Sequence, residues 1–331
     1  MDLDKNILAT LNPRSLELIL YPTEQCNFRC TYCYEDFLIG RMDEKTQEGI
    51  KNLITKRLPK LDTLQLQWFG GEPLAAKDVV LGLSEFAKKA CDHAGVNFSG
   101  SLTTNGYLLT LDLAEKLCDL NQRNYQISLD GFESGHDQTR KLASGAGTFN
   151  RIWSNLLALK GSRLDFNVTL RVHLTKVNIS SVKRLAEALK NTFLDDSRFT
   201  VFLKTIENLG GPNDTSGVLL SKSEKLSTLA ELNELLNKKT VSKSDQGLYV
   251  CYASRPNSLA IRANGTIQKC TVMLSDERNT VGSINENGTV QLDSARMSMW
   301  MRGYSEDKKI LSCPAVGLPK MPSLIPVVNA G

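Results

Sequence analysis

Leu16-Glu-Leu-Ile-Leu-Tyr21, followed at once by Cys26-Asn-Phe-Arg-Cys30-Thr-Tyr-Cys33, is the stretch on which the reading of this chain turns. The apolar run reads as a buried strand. The segment after it places three thiols within one short loop. Soft sulfur ligands at a Cys-x3-Cys-x2-Cys spacing reach a single small metal centre, and they suit an iron–sulfur cluster or zinc. Three ligands instead of four leave a position open, the usual arrangement of a centre that does chemistry. An odd local cysteine number disfavours a disulfide framework, and Met1-Asp-Leu-Asp-Lys-Asn6 lacks the features of a signal peptide. Structural zinc needs a fourth ligand, yet the histidines His93, His136 and His173 are all distant in sequence.

Outward from that loop, strand-like runs recur at 16–21, 64–68, 97–103, 125–129, 167–172 and 199–204. Helix-like segments fall between them near 43–57, 75–94, 110–121, 148–160 and 178–194. Alternation of this kind predicts right-handed parallel βα units, and six of them predict an α/β fold built as a partial (βα)6 TIM-like barrel. Distinctive residues sit where strands end. The cysteine loop follows the first strand, Gly70-Gly71-Glu72-Pro73 the second and Thr103-Thr104-Asn105-Gly106 the third. Ser128-Leu129-Asp130-Gly131 ends the fourth, and Arg171 lies on the fifth. The carboxyl ends of parallel strands form one face, so all five features converge there.

Composition is that of an ordinary globular chain: 331 residues, 41% hydrophobic, 23% charged, net charge +4. The small charge and the lack of a basic run with interleaved aromatics give no indication of nucleic acid. No run of 18 apolar residues predicts a membrane span. Eight cysteines without a secretory signal predict a reducing, cytoplasmic setting. Cys91 and Cys118, set among apolar residues in helical segments, read as buried inert thiols.

With Tyr32 just before the third cysteine, the loop resembles the signature of the radical S-adenosylmethionine (SAM) superfamily. The resemblance implies that Cys26, Cys30 and Cys33 hold a [4Fe–4S] cluster whose open site binds SAM. Gly70-Gly71-Glu72-Pro73 resembles the Gly-Gly-Glu-Pro motif of that family, in which backbone groups and a carboxylate hold the methionine ammonium. By the same resemblance Ser128 and Asp130 meet the ribose, Arg171 meets the SAM carboxylate, Asn105 faces the ligand or supports the site, and Tyr32 lies against the adenine. A turn-only reading stands beside each Asp-Gly and Asn-Gly. The implied chemistry is one-electron cleavage of SAM to methionine and a 5′-deoxyadenosyl radical, which removes hydrogen from an unactivated carbon. The electron comes from a donor such as flavodoxin or ferredoxin.

Gly210-Gly-Pro-Asn-Asp-Thr-Ser-Gly217 reads as a linker, and a polar helix near 221–239 follows. Beyond it Asn264-Gly265 and Asn287-Gly288 are two-residue hairpin signals between strand-like runs. Cys251-x13-Gly265-x4-Cys270 resembles the opening of a SPASM or twitch extension, with Cys313 as the natural third ligand. The later cysteine run of a complete SPASM module is missing, which implies one auxiliary iron–sulfur cluster. The expected division is therefore 1–210 as barrel core, 211–245 as linker and helix, and 246–331 as a small hairpin-rich SPASM/twitch-like domain. Pro314, Pro319, Pro322 and Pro326 predict an extended tail.

Enzymes of this shape alter ribosomally made peptides by oxidative crosslinking or epimerisation, mature sulfatases, or oxidise small alcohols. With the first strand near residue 16, a recognition domain ahead of the barrel is not expected. A leader peptide would then be read by a separate peptide-recognition protein or by the barrel itself. The favoured expectation is oxidative crosslinking of a short peptide substrate, thioether, C–C or C–O. A twitch-type alcohol dehydrogenase, an epimerase and a sulfatase-maturase-like enzyme are the alternatives. Asp130, Glu207 and Asp214 are unranked candidates for an acid or base.

Overall fold

A computed structural model describes residues 2–237 and 249–320. Six parallel strands form its centre: β1 (Ser15–Leu20), β2 (Thr63–Trp68), β3 (Asn97–Thr104), β4 (Gln122–Leu129), β5 (Asn167–Leu174) and β6 (Phe199–Thr205). Five helices return between them: α1 (Glu44–Arg57), α2 (Lys77–Ala94), α3 (Leu111–Asp119), α4 (Phe149–Gly161) and α5 (Ile179–Thr192). The order is the one expected from sequence, six βα steps of an open barrel.

The strands owe their placement to period-two patterning. Leu64, Leu66 and Trp68 are buried against the outer helices, while Gln65 and Gln67 alternate with them. The same alternation puts Leu16, Leu18 and Leu20 in the main core and Ile19 and Tyr21 in a separate inner cluster with Ala260. Helix α2 buries Val79, Val80, Leu83, Ala87 and Cys91 on one stripe. It stops at Gly95, whose φ of +68° is the left-handed conformation favoured after a helix. Cys118 is also buried, within hydrogen-bonding reach of Tyr125.

Beyond the barrel come α6 (Lys222–Leu235), β7 (Ser258–Ile261), β8 (Thr266–Gln268), β9 (Thr280–Ile284), β10 (Val290–Leu292) and α7 (Ser294–Met301). These four strands continue the barrel sheet. Strand β7 pairs parallel to β1 with Leu18 opposite Leu259, and β8, β9 and β10 follow antiparallel. The sheet order is β10-β9-β8-β7-β1-β2-β3-β4-β5-β6. The β9–β10 turn docks on α1, where Asn52 Nδ2 and Lys56 Nζ donate to the carbonyls of Glu286 and Asn287 at 2.9 and 2.6 Å.

Two details differ from the sequence reading. The hairpins are not two-residue turns. Only Gly265 and Gly288 have positive φ, whereas a two-residue type I′ turn needs it at both central residues. The N–H of Gly265 donates to Arg262 O and that of Gly288 to Asn285 O, so each glycine closes a longer turn. The 210–217 segment, expected as a linker, lies on the cysteine loop. Asn213 Nδ2 donates to Cys33 O at 2.8 Å, and a Cβ at Gly211 would come within 2.4 Å of Tyr34 O. The end of the expected 221–239 helix, the 245/246 boundary and the tail carrying Pro322 and Pro326 lie outside the described residues.

Candidate active site

The loop joining β1 to α1 carries Cys26, Cys30 and Cys33, and all three line one cavity at the carboxyl ends of the barrel strands. A short antiparallel ribbon shapes this loop. Phe28–Cys30 pairs with Arg140–Leu142, and Cys30 is the register partner of Arg140. Backbone N–H groups reach the sulfurs: Phe28 N donates to Cys26 Sγ at 3.3 Å, and Glu35 N donates to Cys33. Burial pushes the Cys26 and Cys33 thiols up to about 12 and raises Cys30 as well. Thiols so placed lose their protons to a bound cation. Among the described residues, no three His, Cys, Asp or Glu side chains close on a single ion.

The second loop leans on the first. A Cβ at Gly70 would fall 2.4 Å from Thr23 O and one at Gly71 2.5 Å from Gln25 O, so only glycine permits this approach. Gly70 and Gly71 line the cavity. Glu72 does not, being fully buried. Its Oε1 accepts from Leu74 N (3.0 Å) and Thr104 Oγ1 (2.7 Å), and its Oε2 from Asn105 N (2.7 Å). Pro73 is buried at the start of a 3-10 turn, Pro73–Ala76. Glu72 thus braces the end of β2 against the end of β3, and the carboxylate that sequence assigned to a ligand is occupied by the protein.

Asn105, Ser128, Arg171 and Tyr32 line the cavity. Asn105 Nδ2 donates to Asn27 Oδ1 at 2.8 Å, linking the β3 end to the cysteine loop. Ser128 and Arg171 are register partners on β4 and β5, and Arg171 Nε is buried without a partner among the described residues. Asp130 is withdrawn from the wall. Its Oδ1 accepts from Tyr32 Oη (2.8 Å) and lies 3.2 Å from His173 Nδ1, and its Oδ2 accepts from Thr139 Oγ1 (2.7 Å). Arg140 Nη1 donates to Tyr32 Oη at 2.9 Å. Burial pushes the Asp130 carboxyl up, but the His173 hydrogen bond and the Arg140 charge outweigh it and hold the group well below the usual carboxylate range. Behind it, His136 Nδ1 accepts from Asp130 N at 3.3 Å and Nε2 lies 3.1 Å from Thr148 Oγ1. Burial lowers His136 to about 4, so it is a neutral structural histidine.

Sequence reading missed His173 and Arg140. A strand period would have found His173, two residues beyond Arg171 and on the same face. Arg140 carried no local signal, because its place depends on pairing with residues 110 positions away. Of the unranked acids, Glu207 lines the cavity beside Lys204 (3.0 Å), while Asp214 is an exposed turn residue bonded to Ser216 N. His93 is exposed on α2.

The later cysteines do not line this cavity, although Thr271 and Val272, next to Cys270, do. Cys251 precedes the turn Tyr252–Ser254, Cys270 follows β8, and Cys313 ends a 3-10 turn. Burial raises the Cys251 and Cys270 thiols; the charges of Cys270 and Cys313 raise Cys251 further, and that of Cys313 raises Cys270. Backbone N–H groups of Ala253 and of Val272 and Met273 reach Cys251 and Cys270 respectively. Asn279 pins the Cys270 loop, accepting from Cys270 N (2.8 Å) and donating to Met273 O (2.9 Å). Buried Arg302 donates to Pro314 O and Val316 O, holding the chain beyond Cys313. One hydrogen bond joins the two cysteine loops: Tyr34 Oη donates to Thr271 O at 3.1 Å. The cavity that Thr271 and Val272 help to line has a volume of about 230 Å³.

A soft-metal triad at the carboxyl ends of a parallel barrel defines a metal-centred barrel enzyme. Residues 20–189, just over half of the chain, match the Radical SAM superfamily, and the chain belongs to it. The superfamily's cofactors are a [4Fe–4S] cluster and SAM. The thiol triad, its N–H donors and the adjacent guanidinium fit the cluster. A cysteine-type anaerobic sulfatase-maturating enzyme of Clostridium novyi is 26% identical over 317 residues, 86% of this chain and 81% of that protein. Two solved structures share the fold. The native anaerobic sulfatase-maturating enzyme anSMEcpe, with bound AdoMet and the Kp18Cys peptide, has a TM-score of 0.66 at 17% identity, covering 91% of this chain and 88% of that one. Streptococcus suis SuiB bound to its precursor peptide SuiA has a TM-score of 0.57 at 16% identity, covering 96% and 74%. Among the described residues, no helix is long and apolar enough to cross a membrane.

Proposed function

We propose that this radical SAM enzyme oxidises a peptide, forming an intramolecular crosslink by net loss of two hydrogens. The observation that carries the reading is a cavity lined by the three barrel cysteines and, from the C-terminal hairpins, by Thr271 and Val272, which directly follow Cys270, with Thr271 bonded back to the first cysteine loop through Tyr34. The similarity to a sulfatase-maturating enzyme over 86% of this chain supports a peptide substrate, as do the two neighbouring folds with peptides bound.

On this reading Cys26, Cys30 and Cys33 would hold the SAM cluster. The Gly70–Gly71 backbone, Asn105, Ser128, Tyr32 and Arg171 would surround SAM. Glu72, Pro73 and Asp130 would support that wall from behind. When bound, the cluster and SAM supply a 5′-deoxyadenosyl radical that takes a hydrogen atom from the substrate. The protein's part is to orient the peptide and exclude water. Cys251, Cys270 and Cys313 would hold one auxiliary cluster able to accept an electron. Residues 1–210 would then be the SAM-handling core and 246–331 the auxiliary domain, joined by 211–245. An electron donor of the flavodoxin or ferredoxin class would serve the core.

The extent of the likeness to a sulfatase-maturating enzyme favours a second reading, oxidation of one side chain to an aldehyde. The test is anaerobic reaction of the reconstituted enzyme with SAM, a reductant and either of two peptides. One is any short peptide found encoded beside the gene, the other a cysteine-containing sulfatase peptide. Loss of two hydrogens with no reaction toward a hydrazide supports the crosslink. A hydrazide-reactive product supports the aldehyde. An unchanged mass in both peptides rejects peptide oxidation.

A further inference from the structure

His173 lines the cavity from β5, two residues beyond Arg171 and on the same face of the strand. Its surroundings fix both the ring and its proton. Nδ1 lies 3.2 Å from Asp130 Oδ1 and 3.3 Å from Tyr32 Oη. Asp130 is fully buried, and the Asn178 side-chain amide clamps the backbone on both sides, donating to Asp130 O (2.7 Å) and His173 O (3.0 Å). The Tyr32 ring meets the imidazole edge-on at 5.6 Å. A carboxylate can only accept, so the proton of a neutral His173 sits on Nδ1. Nε2 is then the lone-pair nitrogen, and among the described residues it makes no hydrogen bond.

We infer that His173 Nε2 takes the proton released by the peptide during its oxidation, and that Asp130 is the residue positioning it. The inference rests on the peptide reading above. The balance is as follows. One substrate C–H breaks, and its hydrogen atom converts the 5′-deoxyadenosyl radical to 5′-deoxyadenosine. A neighbouring S–H, O–H, N–H or C–H breaks, its proton goes to Nε2, and two of the three electrons left behind form the new bond. The third would pass to a one-electron oxidant of the iron–sulfur class, which Cys251, Cys270 and Cys313 would hold.

The groups facing His173 keep it neutral at the outset, and Asp130 favours the protonated form. Asp130 and Tyr32 meet Nδ1, Arg140 bonds Tyr32, Arg171 shares the strand face, and Lys204 is the register partner on β6. Burial lowers the His173 pKa, the Asp130 contact opposes that, and the Arg171 and Arg140 charges reinforce it, so the ring starts neutral. Glu207 on the same wall is held by Lys204 and Lys225.

The discriminating variant is H173N. Asparagine keeps a donor near the Nδ1 position for Asp130 and removes Nε2. The assay uses the reconstituted enzyme and a deuterated synthetic copy of whichever peptide the wild type oxidises in the test above. Expected is a fall of about 100-fold or more in oxidised product, with deuterium transfer into 5′-deoxyadenosine kept within about threefold. Wild-type product with undiminished H173N product overturns the assignment. So does loss of SAM cleavage in H173N, which would make His173 a cofactor or folding residue. So does full product from H173N with loss in E207Q. A wild-type enzyme that cleaves SAM and leaves both peptides unchanged removes the peptide reading, and this inference with it. A cofactor-independent readout is nitrogen NMR of the full chain before reconstitution, with three histidines to assign. Expected is the Nδ1–H tautomer of His173 at pH 7 and its loss in D130N. An Nε2–H tautomer or an imidazolium in the wild type overturns the inference.

Discussion

Replacing Glu72 by glutamine separates a brace from a ligand. The carboxylate accepts three hydrogen bonds while wholly out of contact with solvent. In E72Q the amide oxygen can still accept from Leu74 N and Thr104 Oγ1, but the amide nitrogen then faces the N–H of Asn105, donor against donor. One charge-assisted bond is lost and two buried donors lack an acceptor, a cost of roughly 2–4 kcal/mol. For 331 residues at about 2.1 cal/mol/K each, the unfolding entropy is about 0.7 kcal/mol/K, so Tm should fall by about 3–6 °C. The assay is calorimetry of the protein without SAM, paired with SAM binding to the reconstituted enzyme. An unchanged Tm with weakened SAM binding would refute the reasoning and return Glu72 to the ligand role implied by its motif.

Simultaneous C26A, C30A and C33A changes should abolish 5′-deoxyadenosine formation, and residual SAM cleavage by the triple variant would defeat the cluster assignment. C313A should lower iron content by one cluster's worth and leave SAM cleavage within about threefold of wild type; unchanged iron and sulfide would remove the second cluster. His136 has a folded pKa of about 4 against an ordinary 6.5, so the unfolded chain binds the extra proton between these values. The stability it contributes is present above pH 6.5 and lost as pH falls toward 4, by an amount on the order of 3 kcal/mol. Denaturant titrations from pH 7 to 4 should show this slope, and a slope equally steep in H136N would refute it. G71A should displace the Gln25 carbonyl, which a Cβ would approach to 2.5 Å, and reduce SAM binding; full binding would show that the loop yields without loss.

The barrel was legible because each of its strands carries its own signal. Apolar runs such as Leu16–Leu20 and helices capped by Asp43 or stopped by Gly95 are decided within a few residues. The cysteines were legible for the same reason, since their spacing is local. What sequence could not supply was which side chains the loops turn outward. Glu72 and Asp130 sit in motifs that suggest a ligand, yet donors from β3, the cysteine loop and the 139–140 segment claim their oxygens. Thr139 is near in sequence, nine residues from Asp130, but Asn105 lies 33 residues from Glu72 and Tyr32 lies 98 from Asp130, beyond any local pattern. The same holds for the sheet. Nothing within Ser258–Ile261 announces that it will lie beside β1.

That last pairing has a consequence for how the chain is made. Strand β1 is an interior strand of the finished sheet, yet Ile261 leaves the ribosome 241 residues after Leu20, its register partner. At ~5–20 residues per second the free edge of β1 stays open for about 12–48 s. Edges left open recruit other chains. The nascent barrel therefore passes through a long interval in which its first strand needs a temporary cover, and slowing translation between residues 70 and 258 should raise the yield of aggregate before it alters the finished enzyme.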